Sequence, residues 1–133
     1  MSLLCLNCWG CGRSEAVREI REIADKYKPM VLFLSETKMS AQRAQELRWR
    51  LGYQNAFGVS CTGLSGGLVL MWNHDVSLDI KSFSKYHIDG WISETNSVPV
   101  TWHFTGFYGD PARARRKESW RMLWFLRNET DLP

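Results

Sequence analysis

Asn7 and Glu36 are the residues of this sequence best spaced to do chemistry together. Asn7 closes a short apolar run, Leu3 to Leu6, and Glu36 follows a second, Met30 to Leu34. An amide oxygen and a carboxylate converging on one spot suit a hard divalent cation such as Mg²⁺. That ion takes one or two carboxylates and keeps several waters. The plainer alternative is an Asn that makes a turn and a Glu that begins a loop, and spacing alone leaves both open. Cys5, Cys8 and Cys11 invite a metal-cluster reading through their C-x2-C-x2-C spacing. A ferredoxin-type run needs its next Cys at position 15, where Glu15 stands. Zinc would need a fourth ligand from Cys61 or a distant His, with no second paired motif. The cysteines are therefore read as small structural hydrophobes with free thiols, which fit a reducing compartment.

A basic knot of Arg113, Arg115, Arg116, Lys117 and Arg121 is opposed only by Glu118. It could neutralise phosphates, or it could be the solvated entrance of a helix. Other candidates are weaker. The Gly63 to Gly67 stretch lacks the Lys-Ser/Thr ending of a phosphate-cradling loop. His74 and Asp75 share a turn, and His103 falls inside a strand-like run, where a structural role is commoner. No signature marks a Ser or Cys nucleophile.

The elements that position Asn7 and Glu36 read as strand, helix, strand. Ser14 is the expected N-cap of the helix, and Val17, Ile20, Ala24 and Tyr27 recur on one face before Pro29 stops it. A right-handed crossover makes the two strands parallel neighbours about 4.8 Å apart. Both side chains should then emerge at one carboxyl-terminal sheet edge, where ligand sites of α/β sheets collect. Ser40 caps a second helix in which Ala44, Leu47 and Leu51 share a face. Strands are expected over Tyr53 to Val59, Gly67 to Trp72, Val76 to Phe83, His87 to Ser93 and Val100 to Tyr108. Turns separate them, among them Asn96 to Pro99, and Lys117 to Arg127 closes the chain as a helix.

The 133 residues are 44% hydrophobic and 23% charged, with a net charge of +3. These values fit one α/β or α+β domain and exclude a disordered or collagen-like chain. No apolar run reaches the roughly 18 residues that span a bilayer. No signal peptide is evident, so an intracellular location, nuclear or cytoplasmic, is expected.

Six segments then follow one family's order. They are Leu3-Leu-Cys-Leu-Asn7-Cys-Trp-Gly10, Phe33-Leu-Ser-Glu36-Thr37-Lys38, Ser65-Gly-Gly-Leu-Val-Leu-Met-Trp72, His87-Ile-Asp89, Phe104-Thr-Gly-Phe-Tyr108-Gly109 and Arg116-Lys-Glu-Ser-Trp120. Together they make the chain resemble the endonuclease/exonuclease/phosphatase superfamily, the deoxyribonuclease I-like fold. Within it, the sequence is most similar to the endonuclease domain of plant LINE-type (non-LTR) retrotransposons. The resemblance implies a four-layer α/β sandwich, with a mixed sheet and flanking helices, that hydrolyses phosphodiesters with Mg²⁺ or Mn²⁺ and binds DNA. By motif match Glu36 would bind the metal, Asn7 would help hold metal and phosphate, and Tyr108 would hydrogen-bond the scissile phosphate. Arg116, within the basic stretch Arg113, Arg115, Arg116 and Lys117, would support the nucleic-acid backbone.

The sequence departs from the family in two ways. The family usually has Trp before the motif Asn and often Arg two residues after it, where this chain has Leu6 and Trp9. Its Gly-Asp-x-Asn and Ser-Asp-His motifs do not occur here. Residues 1–133 are therefore read as the N-terminal half of the domain, without its second sheet and inactive as they stand. The alternative is a retrotransposon-derived relic with weak nucleic-acid binding. A bare apolar sheet face, and with it aggregation or self-association, is expected.

Overall fold

Val31 to Leu34 are four apolar residues in a row, and a strand can carry such a run only if both its faces are covered. The computed structural model describes residues 2–95 and 101–107, and in it this run is the centre of the molecule. Two helices alternate with the first strands of the described chain, and five strands follow in succession. The elements are β1 (Leu3–Asn7), α1 (Ser14–Tyr27), β2 (Val31–Ser35), α2 (Ala41–Leu51), β3 (Asn55–Val59), β4 (Leu68–Trp72), β5 (Val76–Phe83), β6 (His87–Glu94) and β7 (Thr101–Phe107). The expected turn at 96–99, the closing helix, Tyr108 and the residues Arg113, Arg115, Arg116 and Lys117 lie outside the described residues.

The first four strands form a mixed sheet in the order β1-β2-β4-β3. β1 runs parallel to β2, as the crossover through α1 requires, and β4 is antiparallel to both β2 and β3. A three-stranded antiparallel sheet, β5-β6-β7, makes a separate layer. The architecture is thus α/β, with the helices on one side of the mixed sheet and the second sheet on the other.

Alternation along the central strands divides the core in two. Leu32, Leu34, Val69 and Met71 face the helices and meet Val17, Ile20, Ala44, Leu47 and Leu51. Val31, Phe33, Leu68 and Leu70 face the other way and meet Val76, Ile88, Ile92 and Phe104. Each such buried side chain contributes about 2 kcal/mol through removal from water. The expectation of a bare apolar sheet face is corrected here. The three-stranded sheet of this same chain covers that face, because alternation in β6 turns Ile88 and Ile92 inward. Gly106 allows the close approach, since a Cβ there would sit 2.6 Å from the Phe33 ring.

The helices end as their sequences dictate, with two differences. Ser40 Oγ accepts a hydrogen bond from Arg43 N at 3.2 Å and caps α2. Ser14, by contrast, is the first helical residue, and the N-cap is Arg13, which makes no side-chain cap. Tyr27 does not join the buried face of α1. It is exposed, with the Lys26 ammonium 5.1 Å above its ring, because the left-handed Lys28 turns the chain away before Pro29.

Candidate functional site

Register places Asn7 beside Ser35 at the carboxyl-terminal end of the parallel pair, and Glu36 is the next residue. The ladder continues past the strands. Cys8 N donates to Ser35 O at 3.0 Å, Gly10 N to Glu36 O at 2.7 Å and Cys11 N to Thr37 O at 2.9 Å. From the opposite side, Thr37 N donates to Gly67 O at 3.2 Å and Lys38 N to Gly66 O at 2.9 Å. The segment bearing Glu36 is therefore gripped between the loop after β1 and the glycine turn before β4.

Three residues here take left-handed backbone that β-carbons disfavour: Trp9 (φ 52°), Glu36 (φ 58°) and Lys38 (φ 55°). Such conformations cost about 1–3 kcal/mol each and persist only where the surroundings impose them. Glu36 is nearly buried and Asn7 is exposed. Asn7 Oδ1 accepts the Trp9 backbone N–H at 3.1 Å, which ties the side chain to its own turn. An amide oxygen has a second lone pair, so this bond leaves it one acceptor position.

The sequence reading missed three contributors. Thr37, beside Glu36, is fully buried, and its Oγ1 has no hydrogen-bond partner among the described residues. Gly67, at φ 95°, backs onto it, and a Cβ there would collide with Thr37 Oγ1 and come within 3.1 Å of Lys38 N. Gly66 supplies the acceptor for Lys38 N. The Gly-Gly pair was visible as a turn, yet nothing in it told which strand's extension it would hold.

The cysteines require a correction. Cys8 and Cys11 are joined in a disulfide, while Cys5 and Cys61 are free. The left-handed Trp9 and Gly10 curl the chain so that the two Cα atoms lie 6.0 Å apart, inside the range a disulfide needs. Both cysteines are buried, and Cys8 Sγ sits 3.2 Å from Ser35 O and 3.4 Å from Glu36 O. The bridge thus rests directly on the Glu36 segment.

A second polar cluster lies on the outward face of the three-stranded sheet. Asp89 Oδ1 is 2.5 Å from His103 Nε2 and accepts from Thr105 Oγ1 at 2.6 Å. The Trp91 ring lies 4.9 Å from that of His103. His103 is thus bonded within the sheet, the structural role expected of a His in a strand. Among the described residues no three His, Cys, Asp or Glu side chains are grouped to hold a metal. The oxygens that the Asn7–Glu36 edge offers, one carboxylate and one amide with an orphan hydroxyl nearby, are of the hard type that Mg²⁺ and Mn²⁺ take. No described helix is long and apolar enough to cross a membrane.

No protein-family model matches the sequence, and no curated protein does. Solved structures do. The 3′ phosphatase NExo from Neisseria, bound to a product DNA hairpin, is 14% identical with a TM-score of 0.58, over 99% of this chain and 53% of its own. The TDP2 of D. rerio, complexed with single-strand DNA product, is 16% identical with a TM-score of 0.65, over 100% of this chain and 56% of its own. The human Nocturnin catalytic domain is 17% identical with a TM-score of 0.59, over 94% of this chain and 56% of its own. The chain spans about half the length of these structures. Over that span the chain shares the deoxyribonuclease I-like α/β fold of these structures.

Proposed function

We propose that this chain carries the metal- and phosphate-binding part of a divalent-metal-dependent phosphodiester hydrolase acting on nucleic acid. The observation that supports the reading is that the backbones of Asn7 and Glu36 lie on neighbouring strand ends at one sheet edge, with the Glu36 segment held from both sides. Glu36 would supply the carboxylate and Asn7 the amide oxygen for Mg²⁺ or Mn²⁺. The bound ion would neutralise charge developing on phosphorus oxygens during in-line attack by water. Tyr108 would donate to the scissile phosphate, and Arg113, Arg115, Arg116 and Lys117 would contact the backbone of DNA. The DNA hairpin and the DNA single strand bound in two structural neighbours support a nucleic-acid substrate.

Residues 1–133 hold neither Gly-Asp-x-Asn nor Ser-Asp-His, the sequences that in the resembled family position the water and stabilise the leaving group. We infer that this chain alone binds the ion but does not complete hydrolysis, and that its origin is a plant LINE-type element. Titration with Mn²⁺ followed by calorimetry tests the site, alongside plasmid nicking in Mg²⁺. The expected result is Mn²⁺ binding that Glu36→Gln abolishes, with nicking no greater than that of Glu36→Ala. Mn²⁺ binding unchanged in Glu36→Gln would refute the metal assignment, and Glu36-dependent nicking would refute the inactivity.

A further inference from the structure

Trp9 presents an indole beside the Asn7–Glu36 edge, and the chain holds it outward at an energetic cost. Its side chain is 58% exposed although its backbone is left-handed, a conformation that bulky residues rarely adopt. Four restraints impose that conformation. They are the Trp9 N–H bond to Asn7 Oδ1, the Gly10 and Cys11 N–H bonds to Glu36 O and Thr37 O, and the Cys8–Cys11 bridge. Among the described residues no ring stacks on Trp9. The exposed Lys38 lies on the same loop cluster: its Cδ is 3.5 Å from the position a Cβ on Gly10, the residue after Trp9, would occupy.

An exposed indole with an exposed lysine on the neighbouring segment, at an edge that would bind phosphate, has the composition of a single-strand subsite. Aromatic faces stack on bases, whatever their identity, and a neighbouring cation follows the backbone. Bases inside a duplex already stack on each other and offer no free face. We propose that Trp9, with Lys38, is a one-nucleotide subsite that stacks an unpaired base and selects single-stranded over double-stranded nucleic acid at the Asn7–Glu36 edge. The proposal rests on the nucleic-acid reading above and deepens it.

Fluorescence anisotropy with an end-labelled twelve-nucleotide single strand and the duplex of the same sequence tests it. The full chain is used, at low salt and with the metal chelated. The parent should bind the single strand more tightly than the duplex. Trp9→Ala should lose about tenfold on the single strand and leave duplex binding unchanged, while Trp9→Phe keeps most of the affinity. Trp9→Leu, bulky but without an aromatic face, keeps the test valid if Trp9→Ala misfolds, because it should lose single-strand affinity by a similar factor while Trp9→Phe does not. Equal losses on both ligands, no loss on either, or an effect confined to self-association would overturn the proposal. Duplex-preferring binding by the parent would overturn it and leave the nucleic-acid reading intact. No binding of either ligand would overturn both.

Discussion

Glu36 and Gly10 are joined by a 2.7 Å hydrogen bond from the Gly10 N–H to the Glu36 carbonyl, one residue beyond the last paired rung of β1 and β2. The bond matters because it fixes the peptide of the candidate metal ligand while leaving its carboxylate to other partners. A side chain on a wandering loop would have to be ordered each time an ion arrived, at an entropic cost of about 1–2 kcal/mol per residue. Here that ordering is already done by the fold. The left-handed φ of Glu36 follows from the same geometry, since the chain must leave the sheet plane without losing its neighbours on either side.

Gly67→Ala should be among the most damaging single-methyl changes in the protein. Its φ is left-handed, and the added Cβ would meet the buried Thr37 hydroxyl and the Lys38 amide. A loss of about 2–3 kcal/mol is expected by urea denaturation, combining backbone strain with overpacking. Gly63→Ala, also left-handed but facing open space, should cost about 1 kcal/mol. Equal losses at the two positions would show that the Thr37 contact is unimportant.

The Cys8–Cys11 bridge closes a very short loop, for which chain-entropy reasoning gives about 2 kcal/mol of stabilisation. Adding a dithiol reductant should lower the melting temperature, and the Cys8→Ser, Cys11→Ser double variant should show the lower value without reductant. Cys61→Ser, at a free cysteine, serves as the control. A parent chain whose melting is indifferent to reductant would contradict this account.

Trp9→Asn should raise stability by about 1 kcal/mol, because Asn tolerates left-handed backbone and Trp does not. The same variant should bind single-stranded oligonucleotide less well. Thermal melting and anisotropy on one preparation would reveal this opposition, and a variant less stable than the parent would argue against strain at Trp9.

Tyr53 is buried and donates from its hydroxyl to Pro29 O at 2.8 Å. Burial pushes its pKa up to about 12. A tyrosine that holds its proton more tightly when folded stabilises the fold fully below pH 10, the unfolded value. That contribution is lost as pH rises from 10 through 12. Stability curves should therefore fall across this window, and Tyr53→Phe should flatten the fall while costing about 1 kcal/mol at neutral pH. An unchanged alkaline slope in Tyr53→Phe would assign the loss to another group.

Much of this was readable before any coordinates. Met30 to Leu34 and Gly67 to Trp72 are continuous apolar runs, and continuous runs mean strands covered on both faces. The handedness of strand–helix–strand connections alone brought Asn7 and Glu36 to one edge. Ser40 announced a cap and supplied it. What stayed hidden depended on backbone conformations that composition does not favour. No propensity rule puts Trp in the left-handed region, so a bridge between Cys8 and Cys11 was invisible beneath a C-x2-C-x2-C pattern that other chemistries share. Likewise the inward residues of β6 were evident as an alternation, but alternation does not say which surface they will cover. Tyr27 misled because it kept the helical spacing at the point where Lys28 ends the helix.

The ladder of hydrogen bonds that continues from β2 through Thr37 and Lys38 also sets the timescale on which the edge can open. Amides bonded on both flanks of a central strand exchange with solvent only when the sheet itself parts. Moving the backbone around Glu36 means breaking bonds to both flanking loops together, so the amides of Thr37 and Lys38 should exchange more slowly than those of a loop held on one side only.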